Sequence, residues 1–319
     1  MKQKASRVAD KKQTNGVDDL ADTVDAAHRV LDATISDPSA DPRLIGRILV
    51  DSGRISPQDA ERIAQLQKRE GLFFGEAAKK LKLLNEADVQ HALAQQFNYP
   101  YLKVSEGIFR EELIAAYQPF GTQAENLRAI RSQLILNWLG AESKILAIVS
   151  PGPREGRTFI AANLAVLFAQ LNKRTLLIDA DLRHPRQHEI FNFRCRVGLS
   201  AMLAGRIRRE DLERLPEAIP FFTHLSVLGA GATPPNPLEL LAGDRLPKIL
   251  NELSAFYDVI IVDTPAGSNQ ADYQPIAACA GYAMMVTRKA STRVNDAKKV
   301  VTALEGMRVK VVGSVLNDY

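Results

Sequence analysis

Six short apolar runs, separated by stretches with helical spacing, constrain the second part of this chain more than any other feature. From Lys144 onward, residues 145–150, 175–179, 225–228, 259–263, 283–287 and 309–315 have the length and composition of strands buried on both faces. Helical stretches such as 158–171, 237–255 and 292–305 lie between them. This alternation predicts an α/β domain, a doubly wound and mostly parallel sheet with helices on both sides. Ligands of such sheets bind at the carboxyl ends of the strands, so the chemistry is expected just after each run.

Three of the run ends carry residues suited to phosphate and metal. The first reads Ser150-Pro151-Gly152-Pro153-Arg154-Glu155-Gly156-Arg157-Thr158, and a helix begins at once. A Gly/Pro loop closing onto a helix N-terminus presents backbone N–H groups and the positive end of the helix dipole to an anion. There Arg157 is expected to reach the β- and γ-phosphates and the Thr158 hydroxyl to ligate Mg²⁺. Pro151 stands where the usual motif has its first Gly, and Arg157 where it has Lys; taken alone, the loop is equally compatible with a tight turn. The second run ends in Asp179-Ala180-Asp181-Leu182-Arg183 and the fourth in Asp263-Thr264-Pro265. Carboxylates following an apolar run are costly to bury unless they meet a metal or a donor. An Asp in the position of Asp263 holds Mg²⁺ directly or through water in P-loop proteins. The three signals occur in the expected order, and their coincidence says more than any one of them.

Upstream, the chain changes character twice. Residues 1–42 are polar and lack aromatic residues; such a segment reads as a disordered tail, with a transient helix over 24–31. Residues 43–102 contain a repeat offset by 29 positions: Ile45-Gly46 recurs as Phe74-Gly75, Asp59 as Asp88, and Gln67 as Gln96. Ser56-Pro57-Gln58-Asp59 and Asn85-Glu86-Ala87-Asp88 each put a side-chain oxygen at a helix N-cap and an acid three residues on. Two units of short helix, turn and longer helix make a small all-helical domain. Residues 103–120 read as a linker with a helical piece over 109–117. The helix that follows carries Glu125, Arg128 and Arg131 on one predicted face.

The three run ends resemble the Walker A, Walker A′ and Walker B motifs of the bacterial tyrosine kinases. Gly198-Leu199-Ser200, the stretch from Gly231 to Leu241 and the E-x-x-R-x-x-R pattern of Glu125, Arg128 and Arg131 add to that resemblance, which spans residues 121–319. It implies a P-loop tyrosine-kinase-like domain that binds ATP and Mg²⁺. Gly152, Pro153, Arg154, Glu155, Gly156, Arg157 and Thr158 would hold the phosphates, with Thr158 and Asp263 on Mg²⁺. Asp181 would support the metal through water, and Asp179 would accept the proton of a tyrosine hydroxyl. Glu125, Arg128 and Arg131 would assemble a homo-oligomeric ring, and Tyr319 is the candidate phosphosite.

The helical repeat resembles the N-terminal (MshEN-like) domains of type II secretion and pilus ATPases, some of which bind cyclic di-GMP. The arginines that this family places two residues before each Gly are here Leu44 and Phe73, and the second mid-repeat Gly is Lys82. A protein-docking module is therefore expected rather than a dinucleotide site. The two-part layout is similar to exopolysaccharide chain-length kinases of the EpsG type, which implies a separate membrane activator of the chain-length-determinant (Wzz-like) kind.

Composition narrows the alternatives. A net charge of +4 from 41 basic and 37 acidic residues, with no basic cluster interleaved with aromatics, argues against nucleic acid. Cys195 and Cys279 have neither disulfide nor zinc spacing, which suits the cytoplasm. No apolar run approaches the roughly 18 residues of a membrane span, and the basic N-terminus lacks the hydrophobic stretch of a secretory signal. Membrane association through a partner is expected. His184 and His188 read as a solvated face. Two other classes remain: an ATP-sensing scaffold without catalysis, suggested by Arg157, and a MinD/ParA-type ATPase, disfavoured because Gly152 occupies its signature Lys position.

Overall fold

The computed structural model describes residues 42–96, 102, 107–140, 143–267 and 271–318. The tail expected over residues 1–42, Pro42 apart, and the candidate phosphosite Tyr319 lie outside the described residues. The chain forms two compact units, dividing between Asn98 and Tyr99.

Among the described residues the first unit has four helices, Pro42–Asp51, Pro57–Glu70, Phe74–Lys80 and Glu86–Gln96, so the 29-residue repeat is one helix pair used twice. The Ser56 Oγ accepts the Asp59 N–H at 3.1 Å, and Asn85 and Asp88 exchange reciprocal side-chain to backbone bonds of 2.9 and 3.2 Å. These caps fix where each longer helix begins. Leu49, Ile63, Phe74, Ala77 and Ala92 form the shared core. The repeated glycines have a packing reason. A Cβ on Gly75 would stand 2.6 Å from a Val89 methyl, and one on Gly46 would press on the Phe74 ring at 3.4 Å.

The second unit is a seven-stranded sheet. Its strands are β1 (Ile145–Val149), β2 (Thr175–Asp179), β3 (Glu217–Ala218), β4 (Leu225–Leu228), β5 (Val259–Asp263), β6 (Tyr282–Arg288) and β7 (Lys310–Asn317), in the order β3-β4-β2-β5-β1-β6-β7. Every pairing is parallel except β3 with β4. The six expected strands are all present. The added β3 has two exposed residues, too short and too polar to stand out in a sequence.

Successive residues of β1 feed two cores. Leu146 and Ile148 pack on one face with helix Arg157–Ala169, whereas Ile145, Ala147 and Val149 pack on the other with helices Arg245–Leu253 and Tyr273–Ala280. Both faces are covered, which is why the central strands read as unbroken apolar runs. The helix expected over 237–255 is two helices, Pro237–Leu241 and Arg245–Leu253, interrupted at Gly243. Helix Leu199–Leu203 starts against the end of β4, with the Leu199 N–H on the Gly229 carbonyl at 2.9 Å. A Cβ on Gly198 would come within 2.1 Å of that carbonyl oxygen, so only glycine fits this approach.

The described part of the stretch read as a linker, residues 107–120, packs into the α/β core. Phe109, Leu113, Ala115, Ala116 and Tyr117 are buried in it together with Leu102. The Ala115 N–H donates to Asn163 Oδ1 at 2.8 Å. Its turn-forming residues gave the segment a loop's local signature, but its apolar side chains cover helix Arg157–Ala169. Trp138 closes the far end of that helix, edge-on to Phe168 with ring centroids 6.1 Å apart. Among the described residues, no helix is long and apolar enough to cross a membrane.

Candidate active site

Strand register brings the three motifs together. In β1–β5 pairing Ile148 lies opposite Asp263, and in β2–β5 pairing Asp179 lies opposite Asp263. The loop after β1, the acidic turn after β2 and the segment after β5 therefore leave the sheet side by side, at spacings of about 4.8 Å per strand.

The phosphate-type loop is held from beneath. Arg154 and Gly156 take positive φ values of 59° and 103°, and Gly156 opens helix Arg157–Ala169 with no side chain capping its first turn. Those N–H groups and the helix dipole suit an anion. Glu155 is 3% exposed; it accepts the Gly152 N–H at 2.8 Å and the Thr292 hydroxyl. Asn317 Nδ2 donates to the Glu155 carbonyl at 3.1 Å, and Arg288 to the Arg154 carbonyl at 3.4 Å. The ends of β6 and β7 thus brace the loop, and Glu155 acts from underneath rather than facing a ligand.

Arg157 departs from its expected role. The residue is 8% exposed, with its guanidinium turned inward. Nε donates to the Thr264 carbonyl at 2.8 Å, and Nη1 donates to the Gly152 carbonyl at 2.7 Å and to the Ser150 hydroxyl. A planar fork with several donors satisfies acceptors from the β1 end, the loop and the β5 end at once, which an ammonium group cannot do. In this arrangement Arg157 straps the first motif to the third instead of reaching for phosphates.

The acids are not equivalent. Asp179 is fully buried, and its carboxylate accepts the backbone N–H groups of Arg186 and Gln187 at 2.9 Å and of Asp181 at 3.3 Å. Burial, and then the neighbouring Asp263 charge, push its pKa well above the carboxylate range. So it shapes the turn from Asp181 to Gln187 and does not face the cleft. Asp263 is 1% exposed. Burial pushes its pKa up to about 6, against the opposing effects of the Arg157 charge, the Thr158 hydroxyl and Gln187. Asp181 is half-buried, its Oδ1 accepting the backbone N–H groups of Arg183 and His184 at 3.2 and 2.9 Å. Arg183 turns away to pair with buried Asp272 at 2.6 Å.

A cleft of about 1160 Å³ opens over this junction, lined by Pro153, Arg154, Gly156, Arg157, Thr158, Asp181, Pro265, Arg288 and Asn317 among others. Of the three acids, Asp181 alone lines it. A hydroxyl and carboxylate oxygens are the donors a hard cation such as Mg²⁺ takes. Asp263 Oδ1 is buried with no hydrogen-bond partner among the described residues, a state that a cation or its hydration shell relieves. Among the described residues no group of three His, Cys, Asp or Glu could hold a metal by itself. The donor set, by its chemistry, nonetheless fits Mg²⁺.

Gln187 was missed by the sequence reading. It is fully buried, and its Nε2 donates to Asp263 Oδ2 at 2.9 Å and to the Thr158 carbonyl at 3.2 Å. A glutamine four residues beyond Arg183 carries no signal by itself. The expected charged face of helix Thr122–Asn137 is also divided. Glu125 and Arg128 pair at its surface, but Arg131 is buried and donates to the Leu167 carbonyl at 3.1 Å. Three positions spaced by three drift round the helix, and the last reaches the core.

Comparison with known proteins gives a consistent picture. No protein-family model matches the chain. It is 35% identical over 208 residues to the tyrosine-protein kinase YwqD of Bacillus subtilis, covering 65% of this chain and 86% of that protein. It is 31% identical over 220 residues to the tyrosine-protein kinase wzc of Salmonella typhimurium, but spans 30% of that longer protein and 68% of itself. The kinase domain of the Escherichia coli tyrosine kinase ETK superposes with a TM-score of 0.61 at 31% identity, over 65% of this chain and 79% of that one.

Proposed function

Because this chain belongs to the bacterial tyrosine-protein kinases, a nucleotide-binding family, we propose that it moves the γ-phosphoryl group of Mg-ATP onto tyrosine in a system that builds and exports exopolysaccharide. The observation that carries the site assignment is the convergence of the loop at Thr158 with Asp179, Asp181 and Asp263 through the β1–β5–β2 register. In the transfer, the tyrosine oxygen bonds to the γ-phosphorus, the bond to the β–γ bridging oxygen breaks, and the hydroxyl proton passes to a carboxylate. Asp181, on the cleft wall, is the carboxylate suited to receive it, because Asp179 has its oxygens taken up by backbone N–H groups. The loop around Pro153, Arg154, Gly156 and Thr158, which lines the cleft, would cradle the phosphates with its backbone, and Thr158 and Asp263 would hold the Mg²⁺, which when bound neutralises phosphate charge. Positioning and charge neutralisation are most of what phosphoryl transfer needs.

In this reading the kinase is of the chain-length-control (EpsG) type and works in the cytoplasm. A separate Wzz-like membrane activator switches it on, and the helical unit serves as a protein-docking module. Self-assembly uses the end of helix Thr122–Asn137 where exposed Glu125 pairs with half-buried Arg128. These assignments are supported by the motif resemblance.

The test is phosphotyrosine mapping by mass spectrometry after incubating the full chain with Mg-ATP, with and without membranes of the source cells. Asp181→Asn is expected to cut phosphotyrosine formation at least about a hundredfold, the usual scale for losing a general base, while Mg-ADP still binds. Full activity in Asp181→Asn would return the base to another group. Tight Mg-ATP binding without phosphotyrosine under any condition would leave only the scaffold.

A further inference from the structure

Gln187 sits where the three motifs meet, yet belongs to none of them. We propose that Gln187 is a positioning residue that fixes the Asp263 carboxylate for the divalent cation; this rests on the reading of the cleft as a Mg-nucleotide site.

The argument is one of donors and acceptors. The backbone N–H of Gln187 donates to Asp179 Oδ2 at 2.9 Å, which ties the residue to the end of β2. Its side chain then crosses to the next strand, where Nε2 meets Asp263 Oδ2 at 2.9 Å and the Thr158 carbonyl at 3.2 Å. Both neighbours are acceptors, so the amide must present its NH₂ group to them. The reversed amide would set oxygen against oxygen at both contacts. Gln187 Oε1 has no partner among the described residues, so the NH₂ group alone holds the orientation. With Oδ2 engaged by the amide, Oδ1 is the Asp263 oxygen that has no hydrogen-bond partner among the described residues, and the 2.9 Å bond favours one orientation of the carboxylate. One amide thereby joins the acid of β2, the acid of β5 and the first turn of helix Arg157–Ala169. Residues that orient a metal ligand in this way typically change metal affinity about 10- to 100-fold when removed.

The experiment is calorimetric titration of the full chain with ADP, with and without Mg²⁺. Wild type is expected to bind ADP more tightly with the metal. Gln187→Met, similar in length but without a donor, is expected to keep Mg²⁺-free ADP affinity within about twofold and to lose roughly tenfold or more of the Mg²⁺ enhancement. In an Asp263→Asn background the same substitution should cost no further enhancement, because the group it positions is already altered. Should Gln187→Met fail to fold, Gln187→Asn, whose shorter amide withdraws from Asp263, serves for the same measurements. Unchanged Mg²⁺ enhancement in the variant, or an equal loss with and without the metal, overturns the proposal. Absence of any Mg²⁺ enhancement in wild type instead defeats the reading of the cleft itself.

Discussion

Replacing Arg157 with lysine separates two roles that the sequence motif merges. The guanidinium now serves the Thr264 and Gly152 carbonyls and the Ser150 hydroxyl. Gly152 and Ser150 share Nη1 and are within reach of one ammonium group, but Thr264 is met by Nε from the other side. Arg157→Lys therefore loses at least one charge-assisted hydrogen bond, worth about 1.5–3 kcal/mol, and leaves the carbonyl of a fully buried residue without its donor. For a unit of this size each kcal/mol moves the melting temperature by about 2–4 °C, so a fall of roughly 3–12 °C is expected. Trp138 is the single tryptophan of the chain and is 1% exposed within this unit, so its fluorescence reports unfolding of the α/β unit alone. The ammonium group stays on the Gly152 carbonyl and the Ser150 hydroxyl, so calorimetry should show Mg-ADP binding close to that of wild type. An unchanged melting temperature together with weaker nucleotide binding would refute the inward strap and restore Arg157 to the phosphates.

Two further outcomes follow from the same geometry. Arg131→Ala should destabilise the α/β unit by about 1–3 kcal/mol through its lost bond to Leu167. Replacement of Glu125, whose side chain is 61% exposed, by alanine should leave Trp138-monitored stability within about 0.5 kcal/mol and reduce the mass seen by light scattering; an Arg131→Ala variant of wild-type stability would show that its burial contributes nothing. In the metal-free protein, the pKa of Asp263 rises from 3.8 to about 6 on folding, so the folded state binds more protons between those values. Its contribution is fully present below the unfolded pKa and is lost as pH climbs through about 6, and Asp179 acts in the same direction. Asp263→Asn should therefore gain stability relative to wild type in urea melts between pH 4.5 and 7, and a difference that does not change with pH would contradict the burial of this carboxylate.

Much of this protein is written locally. Continuous apolar runs specify strands covered on both sides, and the caps at Ser56 and Asn85 mark where helices start. The order of the three motifs fixes which strand ends carry chemistry. These signals survive reading one segment at a time because each rests on short-range backbone preferences or on a periodicity. The linker expected over 103–120 failed that kind of reading. Its Gly and Pro residues describe local turns truly, while the burial of Phe109, Leu113 and Tyr117 depends on a helix about fifty residues further on.

Side-chain direction at the site was decided by the tertiary structure. A motif says that a cation occupies position 157, but the acceptor that turns it inward is Thr264, 107 residues away. Likewise the sequence supplied two acids after β2, and the pairing of β2 with β5 determined that Asp179 is enclosed beside Asp263 while Asp181 lines the cleft. Gln187 acquires meaning only because the strand order sets it between them. The chain alone determined which elements form and which of their ends hold acids, hydroxyls and a phosphate-type loop. Which of those groups face the cleft, and which hold the others in place, followed from long-range packing, because burial and hydrogen-bond partners are properties of neighbours the sequence does not name.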